Sequence, residues 1–489
     1  MSVRISESTL NVFNPATQED ISSIPMTSIP ELQSILQSTK VAADRYNFSS
    51  FFLRQKLMKK FCKGIVQHMD EFIETICNET GKKPIEGLME VFISLEHLQQ
   101  SSRHLYEALG KRSRRAGILK TKKVWVEYDA LGVAGIISPW NYPLILSMSP
   151  MVEALLAGNT VVLKPSEHTP LTTKLLKKVW DEYTKNPNLF QAVYGAGEIG
   201  NELVKSNYTD VICFTGSTAV GRKIAEVCAP LFKPMILELG GKDPMIILDD
   251  AHIDRSVEAA IWGGLSNAGQ TCISVERIYV QEDIYPQVVT KLSDEIKNMS
   301  SGKGDSLLGA ISVEVSLEKI RNQIADVRKK TDLVEGSADS GWFIPPTLVI
   351  NPSLESKVLK EETFGPIMTI HPFKTDEEAV KLANMTGYGL SVSIFGRNRK
   401  RMKSIAGKIK VGTVSFNDVL THYGIADLPF GGIGLSGMGK VHGKEGLRAF
   451  CLQKGYISNR IQLKSEFWWY NKSEKFGKLL RKWIQWQYS

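Results

Sequence analysis

Leu131-Gly-Val-Ala-Gly-Ile-Ile-Ser138 opens a series of short apolar runs, and the series decides the fold. Thr160-Val-Val-Leu163, Phe190-Gln-Ala-Val193, Val211-Ile-Cys-Phe214 and Met235-Ile-Leu237 follow it, separated by stretches with amphipathic helical spacing. Apolar runs joined by amphipathic helices imply parallel strands with crossover connections, hence an α/β, doubly wound parallel sheet. Sheets of this kind take ligands beyond the carboxyl ends of their strands. The residues just after each run are therefore the ones to inspect.

After the first run comes Ser138-Pro139-Trp140-Asn141-Tyr142-Pro143. Its prolines fix the backbone and leave the Asn141 amide free to donate to an oxygen gaining charge; taken alone, a rigid turn whose asparagine caps its own backbone is the plainer reading. Lys164-Pro165-Ser166-Glu167 follows the second run, and by itself is a solvated pair at a helix start. The third precedes Gly195-Ala-Gly197-Glu-Ile-Gly200, a G-x-G-x-x-G without the acidic partner a dinucleotide fingerprint requires. Standing alone, it is a weak match. Phe214-Thr215-Gly216-Ser217-Thr218 carries a strand into a helix, where free backbone N–H groups attract phosphate and Ser217 or Thr218 is a good N-cap.

Glu238-Leu-Gly-Gly-Lys242 ends the fifth run, and Gly269-Gln-Thr-Cys272 lies further on. A cysteine after a glycine-containing polar turn is presented to a substrate; the plainer reading is one more small buried residue. A carboxylate set before its own Gly-Gly turn is a candidate base for the same centre. The six cysteines form no Cys-x-x-Cys and have no paired histidine spacing, which argues against a disulfide framework and a metal site and suits a reducing compartment.

Together these motifs, with Glu361-Glu362-Thr363-Phe364-Gly365-Pro366, resemble the aldehyde dehydrogenase superfamily from near residue 10 to about residue 460. Asn417-Asp418, His422, Pro429-Phe-Gly-Gly432 and His442-Gly-Lys444 look most like its fatty and aromatic aldehyde dehydrogenase branch. The resemblance implies a Rossmann-like cofactor domain and a second doubly wound catalytic domain, with Cys272 as nucleophile, Glu238 as base and Asn141 in an oxyanion hole. It implies cofactor contacts from Trp140, Lys164, Ser166, Glu167, Gly216, Ser217, Glu362 and Phe364. NAD is the expected cofactor, because the Glu167 carboxylate repels a 2′-phosphate, with NADP as the alternative. The implied reaction oxidises an aldehyde to its acid through a cysteine thiohemiacetal and thioester. Acyl transfer to coenzyme A, and an idle scaffold kept at membranes, are the competing readings. His422 and His442 receive no role, since a loop histidine more often only hydrogen-bonds.

At 489 residues, 43% apolar and 23% charged, the chain has a globular composition with material for more than one core. Residues 1–20 hold no basic start followed by an apolar run, so a secretory signal is not expected, and no stretch has the roughly 20 apolar residues of a spanning helix. Residues 31–109 read as a helical layer without a chemical motif. The basic cluster Lys111 to Lys123 lacks interleaved aromatics and fits a projecting arm better than a nucleic-acid site. Phe476, Leu479, Leu480, Trp483 and Ile484 make an apolar helical stripe among Lys475, Lys478, Arg481 and Lys482, with Trp468, Trp469 and Trp486 beside it. Such a tail suits a membrane interface or a helix docked on its own subunit or on a dimer partner. The expected organisation is a cofactor domain from residues 1–106 and 130–237, an oligomerisation arm at 107–129 and a catalytic domain at 238–449. A bridging strand at 450–465 and an amphipathic tail at 466–489 complete it. A cytoplasmic homodimer, peripherally membrane-bound through the tail and acting on a lipophilic aldehyde, is the expected whole.

Overall fold

The computed structural model describes residues 3–5, 8–466, 468–470 and 473–489; the side chains of 3–5 and all of Phe467, in the expected tail, lie outside the described residues. Two compact units are present: Met1–Leu109 with Asp129–Leu452, and Gly110–Tyr128 with Gln453–Ser489.

The first unit holds both large sheets. In the six-stranded sheet the order is Gly437–Met438, Met235–Glu238, Val211–Thr215, Val133–Ile137, Thr160–Lys164, Phe190–Ala192. All its pairings are parallel except that of the edge strand Gly437–Met438. The five apolar runs are these central and edge strands. They have no polar face because helices cover both sides: on one, Val133 and Val162 pack against Leu32 and Leu36, and Ile212 and Phe214 against Ile224 and Cys228; on the other lies the wholly buried helix Ile145–Ala157.

The seven-stranded sheet runs Leu333–Glu335, Thr347–Ile350, Ile367–Phe373, Val275–Gln281, Asp243–Ile247, Ser391–Phe395, Thr413–Phe416. Only Leu333–Glu335 is antiparallel to its neighbour. Its core includes Met245, Ile278, Val280, Ile370 and Phe395, none more than 1% exposed. Burying a side chain of this size contributes about 1.5–3 kcal/mol. The fold is thus α/β with two mostly parallel sheets, as the run pattern requires.

The register of the first sheet sets out the site. Ile137 pairs with Lys164 on one side and Phe214 on the other, and Thr215 pairs with Glu238. The segments carrying Trp140, Lys164, Gly216 and Glu238 therefore leave one carboxyl edge side by side.

In the second unit the three-stranded sheet has the order Cys451–Asn459, Lys122–Ala130, Arg112–Arg114. Helix Ser473–Tyr488 follows, with no buried residue. Among the described residues no helix is long and apolar enough to cross a membrane, and no cluster of three or more metal-ligating side chains occurs.

Candidate active site

Cys272 follows a backbone held in an unusual shape. Asn267, Ala268 and Gly269 have φ of 54°, 53° and 72°. Left-handed non-glycine residues cost about 1–3 kcal/mol each and persist only where the surroundings over-determine them. Here the Asn267 N–H donates to Glu86 at 2.6 Å, and its side-chain amide donates to the Asn141 carbonyl at 3.0 Å and the Gln270 carbonyl at 3.2 Å. Gln270 in turn donates to the Asn267 and Ala310 carbonyls and accepts from the Ser312 N–H. A Cβ on Gly269 would lie 2.1 Å from the Gly365 carbonyl oxygen, so only glycine lets the turn rest on the Gly365-Pro366 segment.

The turn leaves Cys272 half-buried, while Cys213 and Cys228 are buried in the first sheet and its covering helix. Asn141 is buried, and its Nδ2 donates to the Gln270 carbonyl at 3.0 Å. An amide nitrogen carries two hydrogens, so one donor remains for a substrate oxygen. Tyr142 and Thr271 hydroxyls meet at 2.9 Å on the same side.

Glu238 is 6% exposed, and its Oε1 has no hydrogen-bond partner among the described residues. Burial, then the Glu153 charge, pushes its carboxyl up to about 8, with Lys440 acting against them. Burial, then Glu238, Asp243 and Glu362, pushes the Cys272 thiol well above its ordinary range. A thiol so surrounded is neutral at pH 7 until something favours its anion.

The glycines after Glu238 bring the second sheet in. The Gly241 N–H donates to Glu362 at 2.9 Å, and a Cβ on Gly240 would meet the same carboxylate at 2.5 Å. Burial, followed by Glu276, raises the Glu362 carboxyl to about 7. Phe364, itself at φ 58°, has its ring 5.4 Å from that of Trp140 in an edge-to-face arrangement. Glu276, which sequence reasoning passed over, and Lys242, which it left without a role, hold this loop. Glu276, buried in its strand, accepts from the N–H groups of Thr363 and Phe364 at 2.9 and 3.0 Å and pairs with Lys242, which also donates to Thr363 Oγ1.

Helix Pro84–Leu109 is the other omission, because the layer expected to be free of chemistry reaches the site. Lys82, just before it, donates to the Asn141 carbonyl at 2.9 Å and pairs with Glu90 at 2.7 Å. Glu90 also accepts from the Leu144 and Ile145 N–H groups. The signal available in the sequence is a carboxylate inside an apolar stretch, Glu90 between Leu88-Met89 and Val91-Phe92-Ile93.

Further along the same edge, Lys164 is buried beneath Gly200, lies 3.6 Å from Glu167 and donates to the Pro165 carbonyl. Burial lowers its pKa, with Glu167 opposing. The Ser166 hydroxyl accepts from the His168 N–H, capping its own turn. Ser217 caps helix Thr218–Cys228 by accepting from Val220, and the Gly216 N–H donates to the Glu238 carbonyl at 3.0 Å. The loops after three strands and the carboxylate at the end of a fourth thus meet. His422 and His442 are buried in an aromatic cluster with Tyr423 and Phe430. Burial lowers both imidazoles, His422 to about 4.

Comparison with known proteins agrees with this arrangement. The profile of the aldehyde dehydrogenase family matches residues 3–455. A 4,4'-diapolycopene aldehyde oxidase of Methylomonas sp. is 33% identical over 94% of this chain and 88% of its own length. A putative NADP+-dependent succinate-semialdehyde dehydrogenase of Mycobacterium tuberculosis is 31% identical over 91% and 88%. Among solved structures, a betaine aldehyde dehydrogenase from Staphylococcus aureus in complex with NAD+ superposes with a TM-score of 0.88 at 28% identity, covering 95% of this chain and 94% of that one. With a family match along almost the whole length, two sheets in the same arrangement and a cysteine turn locked at their meeting edge, the chain belongs to the aldehyde dehydrogenase family.

Proposed function

We propose that this chain oxidises a lipophilic aldehyde to the carboxylic acid through a thioester on Cys272, using NAD in preference to NADP. The observation carrying the reading is the pairing of a half-buried cysteine on a locked turn with a buried carboxylate, Glu238, that keeps one oxygen unpartnered. Cys272 Sγ, as thiolate, attacks the carbonyl carbon, while the spare Asn141 Nδ2 hydrogen and the Cys272 N–H take up the charge on oxygen. The nicotinamide, when bound, supplies the hydride acceptor. Glu238 then takes a proton from the water that opens the thioester, and the acid leaves. Glu238 favours water over coenzyme A as the acyl acceptor.

The residues present fit a dinucleotide. Gly216, Ser217 and the start of helix Thr218–Cys228 offer N–H groups to phosphate. Lys164, Ser166 and Glu167 suit the adenosine ribose, Glu362 the second ribose, and Trp140 with Phe364 an aromatic wall for the ring. The Staphylococcus aureus structure holds NAD+ and the Mycobacterium tuberculosis relative is named for NADP+, so the preference is argued from Glu167 itself.

For the substrate, one relative's name fits a lipophilic aldehyde and another's a short charged one. This chain's own surface supports the first. Ile85, Leu88, Met89 and Phe92 leave an apolar stripe exposed on helix Pro84–Leu109, beginning one turn from Lys82 and Glu86. The tail helix adds exposed Leu479, Ile484 and Trp486 beside its lysines, which suits a peripheral membrane contact. Both features favour the fatty and aromatic branch. Strand Cys451–Asn459 is nine residues long, mostly exposed and at a sheet edge, a template for pairing with a second copy in a homodimer. The free cysteines favour a cytoplasmic setting.

Initial rates across an aldehyde chain-length series, with each cofactor, test the proposal. kcat/KM rising with chain length is expected. A preference for short charged aldehydes would remove the lipophilic reading, and no reduced cofactor from any aldehyde would remove the whole.

A further inference from the structure

Strand Met235–Glu238 turns its two faces to different surroundings. Leu237 and Leu239 pack with Ile212, Phe214 and Ile224. Side chains alternate along a strand, so Glu238 points to the opposite face, the one that Cys213 shares through its pairing with Ile236. Helix Ile145–Ala157 packs on this sheet with every residue buried, yet it carries Glu153 at 0% exposure. Burial, then Glu238 and Glu153, raises the Cys213 thiol, in keeping with both carboxylates lying on that side.

Glu153 is built into a polar cluster. Its Oε1 accepts from the His442 N–H at 2.8 Å and lies 3.3 Å from His97 Nε2. A Cβ on Gly446 would meet the carboxylate at 2.6 Å, so a glycine makes its room. His97 and His442 rings are 4.6 Å apart, and His442 holds a left-handed φ of 65°. Glu238 Oε1, Glu153 Oε2, His97 Nδ1 and both His442 ring nitrogens are buried without hydrogen-bond partners among the described residues. Each such atom costs about 1–3 kcal/mol, and polar atoms gathered in this way suit bridging water. From His97 the polar atoms continue outward along one face of helix Pro84–Leu109. Ser101 Oγ is 3.3 Å from His97 Nε2, and His104 Nδ1 lies 3.1 Å from Asp427, whose side chain is 57% exposed.

We propose that Glu153 and His97 relay the proton that Glu238 takes from the hydrolytic water, a step nothing in the family's motifs assigns to them here. It rests on Glu238 being the base. The proton passes from the Glu238 carboxyl through bridging water to the Glu153 carboxylate, then to His97 Nε2. The same nitrogen hands it to Ser101 Oγ, which releases its own hydroxyl hydrogen to solvent on the side where His104 and Asp427 lie, restoring both carboxylates and the neutral imidazole for the next turnover. Only O–H and N–H bonds change. His442, kept neutral by burial and the neighbouring imidazoles, positions Glu153 through its backbone N–H. The other titratable groups that feel the Glu153 charge are Cys213 and Tyr423, and the nearby charged groups are Glu90, which also acts on Tyr423, and Lys440, which acts on Glu238. Glu90 is engaged by Lys82, and Lys440 opposes the two carboxylates at Glu238.

The test compares full-length wild type, Glu153→Gln and His97→Gln, each with NAD and a saturating aldehyde. Both substitutions keep the volume and an acceptor or donor. The first-turnover burst of NADH should survive, while kcat falls about 10²-fold and KM falls with it. Added imidazole should restore kcat with rising concentration. In Glu153→Gln the acid limb of the kcat profile should also move to lower pH, because a charge that raises the Glu238 pKa is gone. A kcat within about twofold of wild type in both variants overturns the relay. So does a burst lost together with kcat and indifferent to imidazole, the signature of disturbed packing. Glu238→Gln separates the two claims. If it hydrolyses at the wild-type rate, the base assignment fails; if it stalls while Glu153→Gln and His97→Gln do not slow, only the relay fails.

Discussion

A Cβ placed on Gly241 would lie 2.2 Å from the carbonyl oxygen of Cys272, so the backbone just past Glu238 is seated directly on the peptide of the proposed nucleophile. The same Gly241 N–H holds Glu362 at 2.9 Å. One glycine therefore fixes the spacing of three groups of the candidate site.

Gly241→Ala should lower stability by about 1–3 kcal/mol, the usual cost of overpacking, and should lower activity further because Cys272 and Glu362 move together. Urea unfolding with activity assays on the folded fraction measures both. Wild-type stability and rate would show that the contact is not a constraint.

The pH dependence follows from Glu238. A base acts when ionised, so thioester hydrolysis should rise with pH through about 8, where burial and Glu153 place this carboxyl. Its folded-state pKa is above the ordinary 4.5, so its contribution to stability is present below pH 4.5 and is lost as pH rises through about 8. Unfolding of wild type and Glu238→Gln from pH 4 to 9 should show the wild type losing ground across that window. A stability difference independent of pH would contradict the raised pKa.

Much of this site is legible in the sequence because each part sits at the end of an apolar run or inside a turn of glycines and prolines. Cys272, Glu238, Asn141 and the Lys164 and Gly216 loops are found in that way. Glu276, Glu90, Lys82 and Glu153 are not, since their partners lie on other elements and side-chain pairing across 50 to 290 positions leaves no periodic trace. What marks three of them is a carboxylate where every neighbour is apolar or buried, a signal easily mistaken for an exposed position. The left-handed run at Asn267 and Ala268 is equally silent, because neither residue requires it.

Glu167→Ser should raise the ratio of kcat/KM with NADP to that with NAD about tenfold, or about 1.4 kcal/mol, by removing a charge that repels the 2′-phosphate. Steady-state kinetics with each cofactor give the ratio. An unchanged ratio would place the 2′-position away from this loop.

Removing residues 467–489 should abolish co-sedimentation with vesicles containing anionic lipid while leaving kcat/KM for a short soluble aldehyde unchanged. Binding that persists without the tail would assign membrane contact elsewhere.

The most direct test is the mass of Glu238→Gln after mixing with an aldehyde and NAD, digestion and sequencing of the peptide that contains Cys272. The expected result is one acyl group on the Cys272 sulfur, accumulated after a single equivalent of NADH, with no adduct and no NADH in Cys272→Ala. Reduced cofactor formed at the wild-type rate by Cys272→Ala, or an acyl group on any other residue, would contradict the nucleophile on which the mechanism depends.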